Sequence, residues 1–145
     1  MKKKSVEFTL RAEKQDFPIE KIRSAQDIYN YARKFYFDDI NIYESVFIIM
    51  LNKAMNTIGY AKISQGGVSS CLVDKKIVAK YAIESLASAV ILVHNHPSGC
   101  LKPSKYDDQR TKEINGCLQV FDIRLLDHVI ISEDSFYSYN DEGRL

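Results

Sequence analysis

Five apolar residues, Ala89-Val90-Ile91-Leu92-Val93, run directly into His94-Asn95-His96-Pro97-Ser98-Gly99. A short apolar run bounded by a turn signal reads as a buried strand, and an ordinary core strand does not end in two imidazoles. Residues i and i+2 of a strand project to the same face, so His94 and His96 can aim at one point. Pro97 and Gly99 turn the chain, Pro103-Ser104 reads as the start of a helix, and Asp107 falls in that helix's first turn. Two imidazoles and one carboxylate leave a tetrahedral Zn²⁺ with an open fourth position for water, the catalytic rather than the structural arrangement.

The chain must also bury such a site. Its 145 residues favour one domain with a core large enough to need no disulfide or metal staple. At 46% hydrophobic and 27% charged residues the composition is that of a globular protein, and a net charge of +1 argues against a strongly electrostatic nucleic-acid binder. Cys71, Cys100 and Cys117 are odd in number and widely spaced, which reads as free thiols in a reducing compartment. Met1-Lys2-Lys3-Lys4 is followed by a stretch too short and polar for a signal peptide, and no apolar run reaches membrane-spanning length. The expected location is the cytoplasm, without a membrane partner.

Along the chain, Val6, Phe8 and Leu10 alternate with polar residues as a short edge strand would. Ser24 is placed to cap a helix reaching Phe35, with Ile28, Tyr31, Ala32 and Phe35 on one face. Glu44–Leu51 reads as a strong strand, Asn52–Asn56 as a turn and Thr57–Ser64 as an antiparallel return. Gly66-Gly67 opens a loop through Ser70. Asp74 then starts a helix with Ile77, Val78, Tyr81, Ala82 and Leu86 on a common stripe. A further helix is expected over Lys105–Gln119, opened by Ser104-x-x-Asp107, a capping-box pattern with Asp in place of Glu or Gln. Ile123–Ile131 reads as one or two strands and Phe136–Tyr139 as a last short one. The order β-β-α-β-α-β-β implies a mixed sheet flanked by helices, an α/β or α+β fold.

Glu44, His94-x-His96-Pro97 and Ser104-x-x-Asp107 together resemble the JAMM signature of JAB/MPN metalloproteases. The longer run His94–Gly99 with Pro103-Ser104 resembles the RadC-like branch, as do Gly66, Asp127-His128-Val129-Ile130 and Glu142-Gly143. The resemblance extends from about residue 41 to the C-terminus. It implies a single JAB/MPN-like domain over 41–145, with 1–40 as an N-terminal extension whose helix packs on it. It implies a curved sheet between helices, in cytidine-deaminase-like layering, with Zn²⁺ at a strand end. It also implies hydrolysis of a peptide or isopeptide bond in a peptide or protein substrate. Longer RadC-like proteins carry a helix-hairpin-helix segment for which residues 1–40 leave no room, so a short form with little direct nucleic-acid binding is expected. The family's link to DNA repair is an association rather than a mechanism.

On this resemblance His94, His96 and Asp107 are the metal ligands, Glu44 the general base and Ser104 the donor to the oxyanion. Each has a plainer reading. The histidines could be a surface pair, Asp107 a carboxylate favoured by the helix dipole, and Ser104 a helix cap. A cap uses the serine oxygen as acceptor and leaves its O–H able to donate, so the two readings of Ser104 are compatible. Spacing alone does not choose Glu44 over Glu84 or Glu113. Ser98 reads as a turn residue, Cys100 as a loop residue, His128 as a core histidine or the support of a ligand, and Tyr137 and Tyr139 as edge packing. A zinc deaminase would show His-x-Glu with a later Pro-Cys-x-x-Cys, and neither is present. The alternative to a hydrolase is an MPN-like scaffold in DNA metabolism or on a mobile element. Such scaffolds usually lose ligands, whereas all of them are retained here, although a metal kept for folding would retain them too. Lys2-Lys3-Lys4 and Lys75-Lys76 are too sparse to argue for a nucleic-acid surface.

Overall fold

The computed structural model describes residues 1–66 and 72–145. The expected loop at Gly67–Ser70 and the thiol of Cys71 lie outside the described residues. The ordered elements are helix α1 (Ala25–Ala32), a 3-10 turn (Asp38–Asn41), strands β1 (Ser45–Leu51) and β2 (Thr57–Gln65), helix α2 (Lys75–Glu84), strand β3 (Ala89–Asn95), helix α3 (Lys105–Gln119), and strands β4 (Arg124–Ile131) and β5 (Phe136–Ser138). They form a five-stranded mixed sheet in the order β2-β1-β3-β4-β5. β1 lies antiparallel to β2 and β3, β3 parallel to β4, and β4 antiparallel to β5. Parallel neighbours require a crossover, and α3 supplies it between β3 and β4.

Period-two alternation in the central strands divides the core into two layers. Phe47, Ile49, Leu51, Ala89, Ile91 and Val93 face α1, where they meet Ile28, Tyr31 and Ala32, and the turn after it, where they meet Phe35; the helix stops at Ala32, short of the expected Phe35. Val46, Ile48, Met50, Val90 and Leu92 face the other way, against Val78 and Ala82 of α2 and Ile114 and Leu118 of α3. β1 and β3 are buried along their whole length, as central strands covered on both faces must be. The architecture is thus a mixed α/β sheet between helices. No helix among the described residues is long and apolar enough to cross a membrane.

Two capping boxes set helix starts. Ser24 Oγ accepts the Asp27 N–H at 3.2 Å while Asp27 accepts the Ser24 N–H at 3.1 Å, and Ser104 and Asp107 make the same reciprocal pair at 3.0 and 2.9 Å. The carboxylate three residues after the cap therefore does the work that Glu or Gln usually does.

Two local expectations fail. Residues 1–20 form no strand, and Val6 and Phe8 are exposed. Three alternating apolar positions bury too little to offset the ordering of the backbone, and the first pairing comes later, at the bridge between Lys21 and Asn56. Leu86 does not join the α2 stripe. It is 85% exposed with φ of 53°, in the left-handed position of a helix-ending turn closed by Ala87 N–H to Ala82 O and Leu86 N–H to Ile83 O, both 3.0 Å. Ile77 is likewise exposed, which leaves Val78 and Ala82 as the buried residues of α2.

Candidate metal centre

The alternation that builds the α2/α3 layer also aims the site. His94 continues Val90 and Leu92 on that face, and Glu44 continues the series Ile48, Val46 back past the start of β1. Val46 and His94 are register partners across the β1–β3 pair, so the two series end side by side. The N-terminus of α3 lies over the same sheet end and brings Asp107. His96 follows the strand, and the turn after it, closed by Gly99 N–H to His96 O at 2.9 Å, needs a φ of +80° that glycine adopts without strain.

The structure brings Glu44, His94, His96 and Asp107 together, with one ligand atom of each within 4.8 Å of all the others. His94 Nε2 and His96 Nε2 are 2.9 Å apart. Asp107 reaches both, Oδ1 at 3.2 Å from His94 Nε2 and Oδ2 at 3.3 Å from His96 Nε2. Glu44 Oε1 stands further off, 3.8 Å from His94 Nε2. Glu44, His94 and Asp107 are buried, and His96 is 17% exposed, so the cluster opens to solvent on the His96 side. Glu84 and Glu113, which spacing left in contention with Glu44, are exposed on α2 and α3. The adjacent carboxylates of α3 diverge. Asp107 turns to the histidines, while Asp108 takes two bonds from Arg144, at 2.7 and 2.8 Å, and one from the Tyr139 hydroxyl at 2.8 Å.

Electrostatics follow from burial and from this pairing. Burial drives the His94 imidazole down to about 4, against the pull of Asp107, which keeps the ring neutral at neutral pH. For Asp107 burial pushes upward, but the bonds to His94 and His96 win and hold the carboxyl well below the usual range. For His96 burial pushes downward and is overcome by Asp107, the Cys100 carbonyl and Glu44, so its net shift is upward. A carbonyl only accepts, so the 2.6 Å contact of His96 Nδ1 with Cys100 O places a proton on Nδ1 and leaves Nε2 as the nitrogen that faces the cluster. Ser98 has a turn role, its hydroxyl accepting the Cys100 N–H at 3.3 Å, and the Cys100 side chain is exposed.

Ser104 sits at the N-terminus of α3 with its oxygen capping Asp107 N–H, so it links the helix start to the ligand-bearing turn.

Sequence reasoning missed three residues around this cluster. Asn95, between the two histidines, is fully buried, accepts the Ser45 N–H at 2.8 Å and donates to Ile40 O and Tyr43 O at 2.7 and 2.8 Å. Arg110 is buried one turn along α3, 4.0 Å from Asp107 Oδ1 and stacked over the Tyr106 ring. Thr111 is buried against His128. The signal for Asn95 and Arg110 was a strongly polar residue where the periodic pattern demands burial. Tyr139 is also more than edge packing, since it is buried and stacks on His128 with ring centroids 4.7 Å apart.

A cluster of two imidazoles and two carboxylates at a strand end, buried on three members and open on the fourth, can hold a metal ion. Comparison with known proteins agrees with this architecture. The family model described as the RadC-like JAB domain matches residues 22–144. A UPF0758 protein of Flavobacterium johnsoniae is 42% identical over 101 residues, covering 70% of this chain and 44% of the relative. One of Porphyromonas gingivalis is 39% identical over 70% of the chain and 45% of the relative, and one of Chlorobaculum parvum 34% identical over 86% and 55%. The chain spans about half the length of the curated relatives it matches. With a five-stranded mixed sheet, its helices and this cluster on the matched segment, the chain belongs to the RadC-like JAB domain family.

Proposed function

We propose that the protein is a zinc-dependent hydrolase of peptide or isopeptide bonds. The observation that carries this reading is the spacing of the three inner donors. For bonds of about 2.0–2.1 Å, the edge of a tetrahedral zinc site is about 3.3 Å, and the separations here are 2.9, 3.2 and 3.3 Å. His94, His96 and Asp107 would hold the metal, and the longer distance of Glu44, 3.8 Å from His94 Nε2, supports reading it as a base rather than a ligand. Bound zinc supplies an acidified water and a polarised carbonyl. Glu44 would accept the proton of the attacking water and return it to the leaving amine, a role supported by its buried carboxylate lying beside the histidines. Ser104, which caps α3 through its oxygen, keeps a hydroxyl proton to donate to the developing oxyanion.

Neutral His94 and ionised Asp107 support the reading, because a ligand set must be deprotonated before it binds. The partner is a protein or peptide substrate, and the +1 net charge supports no general affinity for nucleic acid. The test is cleavage of a peptide and isopeptide panel by zinc-loaded protein beside Glu44→Gln. Cleavage by the wild type that falls about 10²–10⁴-fold in Glu44→Gln supports the reading. Equal cleavage by both proteins contradicts it. The second reading, a metal-stabilised scaffold, is favoured if zinc raises the melting temperature and no bond in the panel is cut.

A further inference from the structure

Behind His94 runs a chain of buried hydrogen bonds that leads away from the metal cluster and returns to it. His94 Nδ1 lies 2.7 Å from His128 Nε2, His128 Nδ1 lies 2.6 Å from Thr111 Oγ1, and Thr111 Oγ1 lies 2.8 Å from the carbonyl oxygen of Asp107. His94 and His128 are fully buried and Thr111 nearly so, so no water competes for these groups. We propose that Thr111 and His128 are positioning residues for the metal: in the metal-loaded protein they hold His94 as the Nδ1–H tautomer, so that its Nε2 lone pair is free for the ion that His96 and Asp107 would share. This rests on the metal reading above and concerns how this chain prepares one ligand.

The direction of the chain follows from its end. The Asp107 carbonyl can only accept, so it draws the single hydroxyl proton of Thr111. The Tyr139 hydroxyl, whose own proton goes to Asp108, also lies beside Thr111 and offers a second oxygen that accepts. With its proton committed to an oxygen, Thr111 Oγ1 accepts from His128 Nδ1–H. His128 Nε2 is then bare and accepts from His94 Nδ1–H, which leaves His94 Nε2 without a proton. Stacking of His128 on Tyr139, at 9° between planes, fixes the ring that carries the relay. The reverse order of protons ends with a hydrogen on His94 Nε2, where a metal would bind. It also removes the Thr111 proton from the Asp107 carbonyl.

Valine at 111 keeps the branched shape and removes the acceptor, which leaves His128 Nδ1–H buried and unpaired only in the metal-binding order of protons. Serine keeps the hydroxyl. Zinc affinity is therefore measured by chelator competition for wild type, Thr111→Val and Thr111→Ser, together with imidazole ¹⁵N spectra of the zinc-loaded wild type. The expected result is a loss of about 10- to 100-fold for Thr111→Val, recovery in Thr111→Ser, and protons on Nδ1 of both His94 and His128. The spectra do not depend on the variants folding. Wild-type affinity in Thr111→Val, failure of Thr111→Ser to recover, or a proton on His128 Nε2 overturns the relay alone. No zinc uptake by the wild type overturns the metal reading and the relay with it.

Discussion

Asn95 Oδ1 accepts the backbone N–H of Ser45 at 2.8 Å, and this bond sets where Glu44 stands relative to His94. The amide also donates to Tyr43 O, so Asn95 grips the chain on both sides of Glu44 while its own neighbours are the two histidines. One strand end thereby carries two metal-binding candidates and the clamp for the proposed base.

Asn95→Ala leaves the buried Ser45 N–H and Ile40 carbonyl, and the part-buried Tyr43 carbonyl, without that partner, at a cost of about 1–3 kcal/mol. Zinc uptake should persist, because His94, His96 and Asp107 are untouched, while hydrolysis falls. Denaturant melts and zinc titration of the same preparation check this. A variant that loses zinc as fast as activity contradicts the clamp.

Ser104 has two separable tasks. Ser104→Ala should cost about 1 kcal/mol by removing the cap of α3. Ser104→Asp restores an acceptor for the Asp107 N–H but no donor at neutral pH, so stability returns and turnover does not. Recovery of turnover along with stability would reduce Ser104 to a cap.

Leu86 occupies a left-handed backbone position that costs a residue with a β-carbon about 1–2 kcal/mol. Its side chain is exposed, so little packing is lost on removing it. Leu86→Gly should stabilise the protein by about 0.5–1 kcal/mol after the added freedom of the unfolded chain is subtracted. Thermal melts that show a lower midpoint contradict this.

Asp127 is buried, and burial raises its carboxyl above 3.8 even though Ser138, Asn140 and His128 all donate to it. The folded protein therefore keeps this proton to higher pH than the unfolded chain does. Its contribution is full below 3.8 and is lost as pH rises through the folded value. Asn at 127 keeps an acceptor oxygen without the charge, so the Asp127→Asn variant should lose less stability than wild type across that window. Parallel stability curves in the two proteins contradict the assignment.

Much of this was legible in the sequence because it is local. The capping box at Ser104 and Asp107 marks the first turn of α3, and the apolar run to Val93 marks β3, since each depends on residues a few positions apart. At Leu86 helical spacing continues past the residue where the backbone turns left-handed, and spacing carries no φ. The strand expected at Val6–Leu10 needed a neighbour that the pattern could not supply. The relay through His128 and Thr111 joins three elements, and its hydrogen bonds depend on the register of β3 with β4 rather than on any motif. Glu44 lies between these cases: its face follows from alternation in β1, but its distance to His94 depends on the β1–β3 register.

The most direct measurement is the metal content of purified wild type, His96→Ala and Glu44→Gln. About one zinc per chain in the wild type, loss in His96→Ala and retention in Glu44→Gln is expected of a site with three inner ligands and a base outside them. A wild type that cannot be loaded with zinc contradicts the proposed chemistry, and loss of zinc from Glu44→Gln would make Glu44 a ligand instead of a base.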